Sequence, residues 1–487
     1  MSHPVDTLEP KAVWKYFERI RQIPHGSRNE AALAAAVVKW AEEAGCPVTR
    51  DATGNVLVRV AASRGCEKAP AVVLQGHLDM VCEKNSDKTF DFEKDSISLV
   101  RDGDWIRADG TTLGADNGIG AAMALSMMGD KTAVHGPLEL LFTVDEETGL
   151  NGASGLEPGS IQGKLFINLD SEEAGVFYVG CAGGRDTSIR LPISRGPIPK
   201  GHVAYRVDVK GLRGGHSGLD IVLNRGNAIR LAARALSKAA GEAKVRLAAI
   251  EGGDKHNAIP REAWAIAVIP AAAAAGFERI CAERLAGFRT EFAAAEPELD
   301  LTVSREAKAP VDAMDEASTR TALGLLLALP HGVLAMSRDL PGLVETSSNV
   351  ARVRTEADSL AILASSRSSN ASALDGVVGQ IVSICGLAGA KAEPSKGYPG
   401  WQPNMESRLL AVAQDVWKKE HGEAAKFTAI HAGLECGIIG EKFPGMDMIS
   451  FGPTIKWPHS PAECVSIESV GRVHKFARAL LQALAVG

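Results

Sequence analysis

Nothing in this sequence is long and apolar enough to cross a bilayer. The longest apolar stretch, Ala263 to Phe277, is short and is interrupted by Pro270. Basic excess is missing too: the formal net charge is −6, which makes nucleic acid and anionic membrane poor partners. Met1 to Pro10 contains no basic segment leading into an apolar core, so no signal peptide is expected. The eight cysteines are dispersed without a C-x-x-C pair and read as reduced thiols of a cytoplasmic protein. Cys82 and Cys181 have no adjacent histidine to activate them, which leaves them packing roles. A phosphate loop is also absent. Gly114-x-x-x-Gly118-x-Gly120 lacks the G-x-G-x-x-G spacing, and no Gly-Lys-Ser/Thr follows it. Ser217 stands beside His216 with no oriented acid, so a serine nucleophile is not indicated.

What is present is a set of acids and histidines at the ends of apolar runs. Ala71 to Gly76 leads into His77, Leu138 to Val144 into Asp145-Glu146-Glu147, and Leu165 to Leu169 into Asp170. Each run reads as a strand. In an open α/β sheet, side chains just beyond the strands' carboxyl ends face one crevice. Asp116 precedes an apolar stretch that reads as a helix, and His459 follows a further strand-like run, Met446 to Phe451. If Asp116 bridges, these five residues supply six bonds, three to each of two ions. Three protein ligands and one open position suit zinc in a catalytic site. Two such ions about 3.5–4 Å apart acidify a water and polarise a carbonyl, which is the chemistry of hydrolysis. Asp79 lies two residues past His77, on the same side of an extended segment, where a carboxylate fixes a ligating imidazole's tautomer. Glu146 directly before Glu147 offers one carboxylate for a metal and one for proton transfer.

The chain of 487 residues is long enough for two domains. Val13, Trp14, Phe17 and Ile20 mark one face of a first helix, and Ser27 with Glu30 predicts a capping box before a helix over Ala31 to Ala44. Alternating strand and helix patterns then run to about residue 184. Residues 185–396 bear no cluster of candidate ligands, yet His459 lies beyond them. The metal-site domain is therefore expected to be discontinuous, with residues 1–184 and 397–487 forming one unit and residues 185–396 inserted as a separate α+β domain. Ser395 to Gly400 has the composition of a hinge turn. The insert is about twice the size one sheet layer requires. Both a duplicated layer and a single larger domain fit that length.

Gly76-His77-Leu78-Asp79-Met80, Leu113-Gly114-Ala115-Asp116-Asn117-Gly118, Asp145-Glu146-Glu147-Thr148-Gly149 and Asn168-Leu169-Asp170 resemble the signatures of the M20 metallopeptidases. Val179 to Gly184, Gly214-Gly215-His216-Ser217-Gly218 and Lys255-His256-Asn257-Ala258-Ile259-Pro260 are similar to the aminoacyl-histidine dipeptidase branch. The match runs over nearly the whole chain. The resemblance implies a mostly parallel mixed sheet flanked by helices, with the insert acting as a lid. It implies that His77, Asp116 and Asp170 hold one divalent ion and Asp116, Glu147 and His459 the other, zinc first, with cobalt or manganese possible. It implies a cis peptide between Asp116 and Asn117. Glu146 becomes the general base and Asp79 the group that orients His77. His216 becomes a donor to the oxyanion, while Asn257, Arg367, Gly433 and, more weakly, Asn349 hold the substrate. The expected reaction is hydrolysis of unblocked dipeptides, Xaa-His and carnosine-like ones included, and a homodimer is compatible with it. An N-acyl amino acid deacylase built on the same metal core and an inactive metal-binding partner protein are the alternatives.

Overall fold

The computed structural model describes residues 4–308 and 310–486, which form two compact units. One holds the chain up to Cys181, Trp401–Ala429 and the chain from Leu434 onward; the other holds Ala182–Gly400 and Ile430–Gly433. The short Ile430–Gly433 segment thus returns to the second unit, a crossing that no hydropathy pattern marks.

The first unit is built on an eight-stranded sheet. Its strand order is Val48–Arg50, Val56–Val60, Leu138–Thr143, Val72–His77, Leu165–Asn168, Asp447–Ser450, Val176–Cys181 and Lys426–Ile430. The four middle strands run parallel, and antiparallel pairs flank them. Val72–His77 and Leu138–Thr143 are buried along their whole length, as strands covered on both faces must be. Register does the functional work. His77 pairs with Thr143 and Gln75 with Asn168, so three neighbouring strands give out at the same end of the sheet, within a few residues of Glu147 and Asp170.

Helices close both faces of this sheet. Phe177, Trp417, Phe451 and Phe476 form one aromatic cluster, with Phe451 and Phe476 centroids 4.9 Å apart and Phe177 and Trp417 5.9 Å apart. It ties helices Arg408–His421 and Ile467–Val486 to the strands. The first helix, Lys11–Arg21, buries Val13, Trp14, Phe17 and Ile20, the face that their spacing predicts. The predicted capping box does not form. The next helix, Ala31–Glu43, has Glu30 at its N-cap without a side-chain cap bond. Ser27 instead donates to Asp79 Oδ2 at 2.8 Å, and Glu30 Oε1 accepts from the backbone of Arg28 and Asp145. Buried acceptors elsewhere in the fold outcompeted the local cap.

The second unit is one nine-stranded antiparallel sheet under helices. Eight of its strands follow a βαββαβ pattern used twice, and the ninth, Gly332–Met336, pairs with Val344–Thr355. One copy comprises strand His202–Lys210, helix Ala228–Ala243, strands Arg246–Gly252 and Ala263–Pro270, helix Ala274–Glu291 and strand Asp300–Arg305. The other comprises strand Gly183–Pro192, helix Glu316–Ala328, strands Val344–Thr355 and Ser359–Ser368, helix Ala371–Leu387 and strand Lys391–Pro394. The first copy is inserted between the first strand and first helix of the second. Both copies order their strands 4-1-3-2, and they join edge to edge where Gly252 pairs with Val353. A shared core under the sheet, including Leu236, Phe277, Leu326 and Ile381, spans both copies. The insert's length is therefore that of a duplicated layer.

Candidate metal centre

Asp116 faces two histidines with its two oxygens. Its Oδ1 lies 3.2 Å from His77 Nε2, and its Oδ2 lies 3.1 Å from His459 Nε2. Asp170 Oδ1 completes the first side at 3.3 Å from His77 Nε2. Glu147 Oε1 completes the second, 2.9 Å from His459 Nε2. His77, Asp116 and Asp170 bring their ligand atoms within 4.8 Å of one another, and so do Asp116, Glu147 and His459. All five residues singled out from the sequence thus meet, from segments that are hundreds of residues apart. Glu146 joins them, within 4.8 Å of His77 and Glu147.

Each side chain has a local reason for its place. His77 ends its strand, and its Nδ1 lies 2.9 Å from the Asp79 carbonyl and 3.3 Å from Asp79 Oδ1. That leaves Nε2 for Asp116 and Asp170. Gly114 caps the Ala115–Ser126 helix with φ 69°, a left-handed turn that glycine adopts freely. The Asp116–Asn117 peptide that follows is cis. His459 sits in the hairpin between strands Ile455–Lys456 and Cys464–Ser466, itself with φ 59°. A histidine at positive φ is uncommon and clusters at sites where structure over-determines the backbone.

Sequence patterning missed what holds the Asp116 loop. Glu463 accepts four backbone N–H groups, from Leu113 (2.8 Å), Gly114 (3.1 Å), Ala115 (2.8 Å) and Asp116 (3.2 Å). Beneath the site, Glu435 is fully buried and accepts from Thr143 Oγ1 at 2.7 Å and Gln75 Nε2 at 2.5 Å. Burial pushes its carboxyl up to about 7. No local signal could have pointed to either glutamate, since both answer donors more than 290 residues away.

The electrostatics suit cations. Burial disfavours charge on His77, but the carboxylates of Asp170, Asp116 and Asp79 outweigh it and hold its pKa well above the ordinary value. Asp116 and Glu147 push His459 up to about 11. Burial raises Asp170 and Glu146 well above the carboxylate range, and their acidic neighbours add to it. Three acids and two histidines this close demand positive charge between them. Glu147 Oε1 is the sharpest test. It is buried and lies near His459 Nε2, yet no hydrogen bond satisfies it. A cation between those atoms would satisfy both, so the donor set fits two divalent ions.

The second unit gathers its own polar cluster. Strands Gly215–His216 and Ala258–Ile259 pair, and Ser217 N–H donates to the Asn257 carbonyl at 2.8 Å, so His216 and Asn257 come together. The Nδ1 of His216 accepts the N–H groups of Gly218 (3.2 Å) and Leu219 (3.0 Å). Its proton therefore sits on Nε2. Burial and the Arg367 charge lower its pKa to about 4, which keeps the ring a neutral donor. Arg367 is 6% exposed and donates to the Tyr398 hydroxyl at 2.7 Å, while its Nε has no hydrogen-bond partner. Among the described residues no carboxylate pairs with it. Gly433 lies against Tyr398, where a Cβ would come within 2.8 Å of the ring. Asn349 does not present its amide. It is buried and spends Nδ2 on the Ala258 carbonyl (2.8 Å) and Oδ1 on Asn227 (3.4 Å), a structural role.

Comparison with known proteins follows the same lines. The sequence profile of peptidase family M20/M25/M40 matches residues 73–483. The chain is 42% identical over 475 residues to the cytosol non-specific dipeptidase of Escherichia coli, covering 98% of each. It superposes on the crystal structure of aminoacylhistidine dipeptidase from Vibrio alginolyticus with a TM-score of 0.92, at 42% identity and 98% coverage of both chains. Aminopeptidase PepT from Bacillus cereus shares the fold at 17% identity, with a TM-score of 0.62 over 98% of this chain and 99% of that one.

Proposed function

The chain belongs to peptidase family M20/M25/M40, and from that premise we propose that it is a cytoplasmic, metal-dependent dipeptidase acting on unblocked dipeptides, Xaa-His among them. The two relatives of equal identity bear names that differ in breadth, one non-specific and one aminoacylhistidine. A site anchored on the substrate backbone rather than on one side chain accommodates both. One observation carries the reading: the two oxygens of Asp116 face two separate histidine–carboxylate sets.

His77, Asp116 and Asp170 would hold one ion, and Asp116, Glu147 and His459 the other, zinc by donor type, with cobalt and manganese compatible. When bound, such a pair supplies Lewis acidity to a water and to the scissile carbonyl. The chain's own residues do the rest. Glu146 removes the proton of the attacking water and returns it to the departing amine nitrogen; burial raises its carboxyl above the ordinary range, which favours holding that proton between the two transfers. Asp79 fixes the tautomer of His77. His216 offers its Nε2–H to the oxygen that gains charge as the carbonyl becomes tetrahedral. Arg367 pairs with the substrate's C-terminal carboxylate. Among the described residues no carboxylate forms an ion pair with this buried guanidinium, and its planar fork takes an incoming carboxylate bidentately. Asn257 and Gly433 contact the dipeptide backbone. With a net charge of −6, small peptides rather than nucleic acid or membrane are its partners. A homodimer is compatible with this reading, and sedimentation tests it.

The decisive experiment is a substrate panel with metal-reconstituted protein: Xaa-His and other dipeptides, their N-acetylated forms, and N-acetyl amino acids. Hydrolysis confined to peptides with a free amino terminus is expected. Turnover of N-acetyl amino acids without turnover of dipeptides would replace this reading with a deacylase.

A further inference from the structure

Four residues lie in one lateral row across the second unit's sheet. Ser347 pairs with Arg367, Arg367 with Gly184, and Gly184 with Tyr398, all antiparallel. Residues directly opposite in such a ladder present their side chains on the same face. Arg367 and Tyr398 are therefore two strands apart, about 9–10 Å between backbones at the usual strand spacing, with only a hydrogen at Gly184 between them. That gap lets the phenol lie down across the missing side chain and reach the guanidinium. Its hydroxyl accepts from an Arg367 terminal nitrogen at 2.7 Å.

The ring lies in the space that side chains at two neighbouring positions would fill. A Cβ at Gly184 would come within 2.6 Å of Tyr398 Cζ and Oη, and one at Gly433 within 2.8 Å of Cε2. Real Cβ atoms do not approach that closely, so the phenol is clamped between two glycines. The backbone beneath it is pinned as well: Gly184 N–H donates to the Tyr398 carbonyl at 3.0 Å, and Tyr398 N–H to the Gly184 carbonyl at 2.9 Å. The guanidinium itself is nearly buried, and its Nε is unsatisfied. With no ion pair among the described residues, this buried cation is best oriented by something neutral, because a carboxylate partner would compete with an incoming anion.

We propose that Tyr398 is a positioning residue for substrate recognition. Held between Gly184 and Gly433, its hydroxyl fixes Arg367 so that the remaining guanidinium donors receive the dipeptide's C-terminal carboxylate. This assignment rests on the reading of Arg367 given above. It also explains why glycine stands at both flanking positions: each clears space for the ring rather than for the substrate alone.

The test is a kinetic cycle on metal-reconstituted enzyme with an unblocked dipeptide, and with the corresponding dipeptide amide as competitive inhibitor. Tyr398→Phe keeps the ring and removes the hydroxyl's bond to Arg367. It should raise KM about three- to tenfold, the range for one such bond, with kcat within about twofold. The Ki of the amide, which has no carboxylate, should not move. Gly184→Ala, which displaces the ring, should reproduce the KM rise. In an Arg367→Ala background, which raises KM by itself, adding Tyr398→Phe should change nothing further. An unchanged KM in Tyr398→Phe alongside a raised KM in Arg367→Ala overturns the positioning role alone. So does an equal shift for dipeptide and amide, or additivity in the double variant, since either means that the ring merely packs. An Arg367→Ala enzyme with wild-type KM overturns the carboxylate reading and this assignment together.

Discussion

Asp79 accepts the backbone N–H of Glu146 through Oδ1 at 3.0 Å and that of Glu147 through Oδ2 at 3.2 Å. The same carboxylate faces His77 Nδ1 at 3.3 Å. One side chain therefore orients an imidazole and anchors the turn that carries Glu146, the proposed acid–base group. Burial opposes its charge, but His77 and these donors win and lower its pKa to about 2. Asp79→Asn replaces an acceptor-only group with an amide whose NH2 must face one of these two N–H groups. Metal affinity or kcat should fall about 10- to 100-fold. Metal titration together with kcat at saturating metal checks this, and wild-type values for both would remove Asp79 from the mechanism.

Glu146 and His459 should separate chemistry from metal. Glu146→Gln should keep full metal content while losing about 10²–10⁴ in kcat, because the amide cannot take the proton. His459→Ala should lose one of two ions, since Asp116 and Glu147 alone remain on that side. Elemental analysis beside kinetics decides. An empty Glu146→Gln protein with a fully loaded His459→Ala protein would reverse the assigned roles.

His216→Ala should cost about 10²–10³ in kcat, the usual effect of one lost oxyanion donor, with metal content intact. Its pKa of about 4 places its titration below the working range. The acidic limb of the wild-type pH–rate profile should therefore belong to another group and persist, unshifted, in His216→Gln. A limb that disappears in that variant would mean that the ring acts as an ionising acid or base.

Stability should fall with acid partly through His474. Burial, helped by the Arg478 charge, lowers its pKa from 6.5 to about 4, and its Nε2 meets Ser126 Oγ at 3.2 Å. Between those two pH values the unfolded chain binds the proton and the folded chain does not. The stability from this group is thus complete above about pH 6.5 and is lost as pH falls towards 4, by at most about 1.36 kcal/mol per pH unit. His474→Gln should flatten that slope in urea melts run at pH 7, 5.5 and 4.5. Equal slopes in the two proteins would show that the ring is not held neutral by the fold.

Much of the centre was legible because its signals are local. His77 and Asp170 end buried strands whose apolar runs are visible in the sequence, and Asp79 follows His77 at the spacing of an extended chain. In the second unit, Asn227 caps helix Ala228–Ala243 by accepting the Arg230 N–H, a signal that is equally local. The Ser27–Glu30 box failed for an instructive reason. The two side chains carry the pattern of a local cap, but Asp79 and Asp145 offered partners across the fold.

By itself, the sequence determined the kind of chemistry: which acids and histidines end strands, and hence which donors a metal pair would find. Periodicity and strand ends are properties of neighbouring residues, so they survive in one dimension. Only the tertiary structure decided what holds those donors in place. Glu463 binds four N–H groups nearly 350 residues away, Glu435 sits beneath the strands, and Tyr398 reaches Arg367 across the gap at Gly184. The doubled βαββαβ layer belongs with them, since strand order is set by which edges pair. Such contacts satisfy buried polar groups and close-packed surfaces between distant segments, and no stretch of neighbouring residues encodes them.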